Sequence, residues 1–140
     1  MKISTKGRYA LRLMFDLADH PGQKLSLKDI AKHQEISMKY LEQIVPSLTR
    51  AGLIRAVRGA QGGYTLLKSA DEYTILEIIE AVEGKIAIVA CLETPTNTCP
   101  RYSQCPTIHM YEELNENIIN YFKSKTLQDL LENQVIDYII

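Results

Sequence analysis

Leu53-Ile54-Arg55-Ala56-Val57-Arg58-Gly59-Ala60-Gln61-Gly62-Gly63-Tyr64-Thr65-Leu66-Leu67 is the stretch on which the fold turns. Leu53, Arg55 and Val57 alternate with Ile54, Ala56 and Arg58, the period of two that marks a short strand. Gly59 to Gly63 is rich in residues that accept a positive φ, and Tyr64 to Leu67 returns as a second strand. Residues 53–67 therefore read as a β-hairpin.

The chain upstream of this hairpin changes period. Leu11, Met14, Phe15 and Ala18 recur at helical spacing, so residues of about 4–19 form an amphipathic helix that His20-Pro21-Gly22 ends. Ser26, with Asp29 three residues on, opens a short helix over about 27–33. Ser37 repeats the pattern before a third helix carrying Leu41, Ile44 and Val45 and reaching about Arg50, where Gly52 stops it. Pro46 lies inside that helix and removes one backbone bond, at roughly 3 kcal/mol, which predicts a kink or a restart. Leu41, Ile44, Leu48 and Leu53 are core residues.

Charge divides the chain at the end of the hairpin. Residues 1–68 hold twelve Lys/Arg against five acids, a balance of +7, while residues 69–140 hold four against twelve, a balance of −8. The net charge of −1 over 140 residues thus conceals a basic head, 1–68, and an acidic body, 69–140. Such asymmetry suits a polyanion-binding head. The longest uninterrupted apolar run, Ile86 to Leu92, is too short to span a membrane. Lys2, Lys6, Arg8 and Arg12 interrupt the apolar residues of the N-terminus, so no secretory leader is read there and the expected location is cytoplasmic.

Three helices followed by a glycine-turned hairpin, all basic, form the layout of a winged helix-turn-helix. The fold class expected is mainly α with a small β-hairpin wing. In such a head the helix after the turn enters the major groove of double-stranded DNA with its N-terminal residues at base edges. Those residues are Ser37, Met38, Lys39, Tyr40, Glu42 and Gln43. Gln pairs with adenine through two atoms, Glu accepts from cytosine, and Ser and Lys reach bases or phosphates. Arg58 stands at the hairpin tip, where it can enter a narrow minor groove, and Gly62 lets backbone approach the duplex. Lys6, Lys28 and Lys32 are candidate phosphate contacts.

Beyond the hairpin, Thr74 with Glu77 forms a capping box for a helix that Gly84 closes. Cys91, Cys99 and Cys105 then follow C-x7-C-x5-C in a polar loop containing Pro95 and Pro100. An odd number of cysteines argues against a closed disulfide framework. Three thiols on a loop can hold an iron–sulfur cluster, hold zinc or act as reactive thiols, and the lack of any C-x2-C pair counts against zinc. A long helix follows over about 107–123, with Ile108, Tyr111, Asn115, Ile118 and Phe122 on one stripe. Thr126 caps a last short helix through Leu131.

Met1-Lys2-Ile3-Ser4-Thr5-Lys6-Gly7-Arg8-Tyr9-Ala10-Leu11, Tyr40-Leu41-Glu42-Gln43 and Val57-Arg58-Gly59-Ala60-Gln61-Gly62-Gly63-Tyr64 fall in this order along the chain. As a set they resemble the IscR-type family of winged-helix iron–sulfur cluster regulators, and the likeness runs from residue 1 to about 134. The resemblance implies a cytosolic homodimeric transcription regulator whose long helix, here about 107–123, forms much of the dimer interface. It implies DNA contacts by Ser37, Tyr40, Gln43 and Arg58, and a discriminating role between classes of site for Glu42. It also implies that Cys91, Cys99 and Cys105 carry a 2Fe–2S cluster and that the regulated genes serve iron–sulfur cluster biogenesis.

Two features depart from the family. The first gap between cysteines is longer than in its iron–sulfur assembly regulator, and the family's histidine ligand position, three after the last cysteine, is Ile108. His109 is the substitute. Pro106 sits where the first turn of a helix accepts it and marks Cys105 as the residue just before that helix, so residues 105–109 are expected to be near-helical and, at about 100° per residue, positions three and four beyond Cys105 flank it on either side. Rival fourth ligands are an acid or hydroxyl from the partner subunit's first helix, such as Asp16 or Tyr9, and a small exogenous thiol. His20 and His33 read as surface residues of the head.

The same head could instead report nitric oxide or cysteine supply. The tail Val135-Ile136-Asp137-Tyr138-Ile139-Ile140 resembles that of the related cysteine-metabolism repressor, which pairs with cysteine synthase. An enzyme is not expected. No Ser/His/Asp set, phosphate loop or carboxylate pair stands out, and Gly62-Gly63 lacks the spacing of a nucleotide fingerprint. An electron carrier would have no use for a basic head.

Overall fold

The computed structural model describes residues 2–136. Residues 137–140 of the apolar tail, and the side chains of Val135 and Ile136, lie outside the described residues. The elements run α1 (Thr5–Asp19), α2 (Leu27–Gln34), α3 (Met38–Arg50), β1 (Ile54–Val57), β2 (Gly63–Leu66), α4 (Ile75–Glu83), α5 (Ile108–Ser124) and α6 (Leu127–Ile136). The expected mainly α architecture with a two-stranded wing is what forms.

The helix starts follow the capping logic of the sequence. Ser4, Ser26, Ser37 and Thr74 each accept a hydrogen bond from the backbone N–H three residues on, satisfying a donor that the first turn leaves free. At Ser26 the box is reciprocal, because the Asp29 carboxylate accepts from the Ser26 N–H at 3.1 Å. That bond holds the Asp29 carboxyl below the usual carboxylate value.

The core lies where α1, α2 and α3 meet. Leu13, Met14, Ile30, Leu41, Ile44 and Leu48 are fully buried there, each worth roughly 1.5–3 kcal/mol of transfer from water. α3 is unbroken at Pro46, contrary to the expected restart. Pro46 and Glu42, whose carbonyl loses its partner, are both on the exposed side, where water can serve that oxygen. Leu41, Ile44, Val45 and Leu48 clamp both halves of the helix onto the core.

The wing pairs Ile54 with Leu66, Arg55 with Thr65, Ala56 with Tyr64 and Val57 with Gly63. Leu25 adds a single bridge to Tyr64, with N···O distances of 3.1 and 2.7 Å in the two directions. Gly63 permits that approach, since a Cβ there would meet the Leu25 carbonyl oxygen at 2.6 Å. The alternation expected from Leu53 onward does not appear in the burial of β1, where Ile54 is buried, Arg55 and Ala56 are both exposed and Val57 is half-buried. Leu53 is still tied to the end of α3 through its N–H to the Leu48 carbonyl at 3.0 Å, so Leu53 and Ile54 are both buried.

The acidic half packs directly on the head. α1 lies against α4 and α6, and Tyr73, Ile78 and Leu127 join the core of the head. The lead-ins to α4 and α6 bond to each other, Ile75 N–H to the Lys125 carbonyl at 2.8 Å and Leu127 N–H to the Tyr73 carbonyl at 3.1 Å. α6 continues to Ile136, beyond the expected end at Leu131. At the other end, the Ser4 N–H donates to the Glu83 carboxylate at 2.9 Å. A Cβ on Gly7 would meet that same carboxylate at 2.6 Å, so a larger residue there would displace the end of the Glu83 side chain and its bond to Ser4. Among the described residues no helix is long and apolar enough to cross a membrane.

Candidate nucleic-acid interface and cysteine loop

The N-terminal end of α3 is the exposed face of the head. Ser37, Met38, Lys39, Tyr40, Glu42 and Gln43 are all exposed, on the side opposite Leu41, Ile44 and Leu48. Ser37 Oγ accepts from the Tyr40 N–H at 3.2 Å, which starts the helix and leaves the hydroxyl proton free to donate outward. Tyr40 is braced edge-on by Tyr9 at 5.3 Å, and the Arg12 guanidinium sits 5.4 Å from the Tyr9 ring. Sequence reasoning missed Tyr9 as this brace, because nothing in its spacing ties it to α3. Arg12 also donates to the Gln34 carbonyl oxygen, so this cation is partly engaged within the head.

Lys28 is exposed in the first turn of α2, and Lys6 half-buried in the first turn of α1. Arg58 follows the last residue of β1 and is exposed at the wing tip. Gly59 takes φ +119° beside it. Gly62 closes the turn through its N–H to the Gly59 carbonyl at 3.0 Å, and a Cβ on Gly62 would fall 2.2 Å from the Val57 carbonyl oxygen. The wing turn therefore demands glycine at 62, whatever backbone contact Gly62 makes with DNA.

The cysteine loop spans the gap between α4 and α5. Its first part is pinned to α5, where Asn115 Oδ1 accepts from the Ile88 N–H at 2.9 Å and Nδ2 donates to the Ile86 carbonyl at 3.3 Å. Cys91 lies exposed in a 3₁₀ turn, Ala90–Leu92. Cys99 is exposed, its N–H held by Asn97 Oδ1 at 2.9 Å. Cys105 is half-buried just after a second 3₁₀ turn, Tyr102–Gln104. The Thr107 hydroxyl lies 3.4 Å from Cys105 Sγ and holds the Cys105 thiol below its usual value.

A cavity of about 340 Å³ opens beside this loop, lined among others by Cys91, Thr94, Asn97, Tyr102 and Glu112. Asn97 Nδ2 is buried there without a hydrogen-bond partner. An orphaned amide donor in the cavity that Cys91 also lines suits a group that carries sulfur acceptors, and in its residue types the loop fits an iron–sulfur cluster. The sulfurs themselves are not drawn together. Among the described residues, the one set of three potential ligands whose donor atoms lie within 4.8 Å of one another is Asp16, His20 and His33.

The helical geometry expected for residues 105–109 does not form. α5 begins at Ile108, and Cys105 is extended at ψ 118°. Pro106 causes this, because its ring disfavours the helical region for the residue before it. Ile108, at the family's histidine position, is buried. His109 is exposed, with Nδ1 3.3 Å from Glu112 Oε1 and its ring edge-on to Tyr102. Glu112 also accepts from the Tyr102 hydroxyl at 3.2 Å, which raises the Tyr102 pKa above its usual value. One expectation for other residues needs correcting. Asp16 is buried against His20 and His33, so its carboxylate is not presented to a second chain. His33 is exposed and His20 partly exposed, at the surface of the head as expected, and both converge on that carboxylate.

The model of the Rrf2 family, described as an iron-dependent transcriptional regulator, matches residues 3–133. The chain belongs to the Rrf2 family. It is 35% identical over 137 residues to the HTH-type transcriptional regulator IscR of Photorhabdus laumondii, covering 97% of this chain and 82% of that one. Among solved structures it resembles CymR, the global cysteine regulator of B. subtilis. The TM-score is 0.77 at 36% identity, over 95% of this chain and 98% of that one. It also resembles T. potens IscR, with a TM-score of 0.75 at 36% identity, over 96% and 88%. This Rrf2-family chain is therefore a winged-helix transcription regulator, and the exposed end of α3 and the wing form its candidate DNA-reading face.

Proposed function

We propose that this Rrf2-family regulator binds double-stranded operator DNA as a homodimer in the cytoplasm, and that its binding answers to a 2Fe–2S cluster held by Cys91, Cys99 and Cys105. The genes it governs serve iron–sulfur cluster biogenesis. The observation that carries this is the cysteine loop, which holds three free thiols, one of them acidified by Thr107, and the unpaired Asn97 amide, which lines the same cavity as Cys91. When bound, a cluster supplies a tie across the loop that depends on iron, sulfide and oxidation state.

Lys6, Lys28 and Lys39 neutralise phosphates, Ser37, Tyr40, Glu42 and Gln43 meet base edges, and Arg58 enters the minor groove from the wing. Met110, Leu114 and Tyr121 are exposed on α5 within an arc of about 40°, an apolar stripe suited to a second copy of the helix. His109 is the fourth ligand. Glu112 engages its Nδ1 and leaves Nε2 free, the pairing by which carboxylates orient ligating imidazoles.

Anaerobic reconstitution with iron and sulfide tests the cluster and the fourth ligand together. The wild-type chain should take up about two iron and two sulfide with a visible chromophore. His109→Ala should destabilise that chromophore, and His109→Cys should keep it with a shifted spectrum. Wild-type spectra and lifetimes in both variants would remove His109 and leave the cysteines as ligands. A wild-type chain that takes up no iron would refute the cluster reading.

The likeness to the cysteine regulator favours a second reading, in which the same head reports cysteine supply; in that reading the apolar tail, residues 135–140, is the segment proposed to meet a cysteine synthase. A chain that forms no cluster but is pulled down by that enzyme through its tail would establish this reading instead.

A further inference from the structure

Outside the cysteine loop, one buried carboxylate has two imidazoles, and no lysine or arginine, as its close ionisable neighbours among the described residues. Asp16, on the last turn of α1, is 1% exposed. Its neighbours are two imidazoles, His33 Nδ1 at 3.0 Å from Oδ2 and His20 Nδ1 at 3.4 Å from Oδ1. A buried carboxylate is costly without a cation, and neutral imidazole is not one.

The imidazoles are arranged as ligands would be. His20 caps the end of α1 and His33 lies in the last turn of α2, so the two come from different helices. Their rings stack at 5.0 Å between centroids and 14° between planes, with both Nδ1 atoms turned to the same carboxylate. Protonating both would set two cations face to face, whereas one divalent ion satisfies the carboxylate and both nitrogens together. Both rings are partly exposed, which gives an ion a path in from solvent.

We propose that Asp16, His20 and His33 form a site for a divalent transition ion of the zinc class, separate from the cysteine loop. Two imidazole nitrogens and one carboxylate suit such an ion, with water completing the shell. The His20 Nδ1 proton, now given to the Asp16 carbonyl oxygen at 2.9 Å, moves to Nε2 when the ion takes its place. The ion joins α1 to α2, and the N-cap of the DNA-reading helix, Ser37, follows His33 by four residues. Occupancy therefore stiffens the reading head.

The test uses the full chain with Cys91, Cys99 and Cys105 replaced by serine, so that thiols do not compete for metal. Zn2+ titrated calorimetrically should bind once per chain and raise the melting temperature. His33→Ala and His20→Ala should each weaken binding at least about tenfold and abolish that rise. Co2+ added to the unsubstituted-histidine parent should give visible bands of an N/O site without thiolate charge transfer, a reading independent of whether the histidine variants fold. Absence of Zn2+ binding and of Co2+ bands in the parent would overturn the site, as would binding that survives both histidine substitutions.

Discussion

The Tyr73 hydroxyl donates to the Leu53 carbonyl oxygen at 2.7 Å and accepts from the Leu67 N–H at 2.8 Å. One fully buried phenol between the wing and α4 thereby closes the base of the wing against the core. Tyr73→Phe keeps the ring but strands a carbonyl and an N–H. The unfolding free energy should fall by about 1–3 kcal/mol, read as a lowered denaturant midpoint at unchanged slope. A midpoint equal to wild type would show that the wing is closed by other contacts.

Arg58 is exposed at the wing tip, and among the described residues its side chain makes no hydrogen bond or ion pair. Arg58→Ala should weaken operator binding by about 1–3 kcal/mol while the melting curve stays in place. Equal affinity with an equal melting curve would remove Arg58 from the DNA-reading face.

Glu42 predicts the opposite sign at poor sites. Its carboxylate is exposed on the reading face of α3, where it repels phosphate unless a cytosine amine meets it. Glu42→Ala should improve binding to variant sites more than to the best site, measured as a narrowed spread of affinities across an operator series. A uniform loss would make Glu42 a direct positive contact.

Cys105 should alkylate as a thiolate below the usual pH of cysteine, because the Thr107 hydroxyl stabilises the charged sulfur. A pH profile of iodoacetamide labelling on the cluster-free chain, followed at Cys105 by mass spectrometry, measures this. Thr107→Val should move the midpoint upward. A midpoint that does not move would assign the shift to another neighbour.

What the sequence disclosed was local in origin. Serine caps, apolar stripes of period 3.6 and the glycine-rich turn placed α1, α2, α3 and the wing, since each depends on neighbours a few residues away. The pre-proline bias at Cys105 was equally local. Pro106 suits the first turn of a helix, but its effect on the residue before it decides the geometry. The bond between the lead-ins at Thr74 and Thr126, the Tyr9 brace under Tyr40 and the meeting of His33 with Asp16 depend on how helices dock, which no window of sequence contains. His20 stands four residues from Asp16 and could have been paired with it by helical spacing alone.

The central claim, that DNA binding answers to a cluster in the cysteine loop, is tested most directly by operator affinity measured anaerobically in two states of one protein. The operator is enriched from a random duplex pool, and the states are the reconstituted chain and the same chain after iron chelation. Affinity, or the ranking of sites, should differ between the two states by about 5–150-fold. The variant with Cys91, Cys99 and Cys105 replaced by serine should bind alike under both treatments. Identical binding by the wild-type chain with and without iron and sulfide, across the whole site series, would contradict the account.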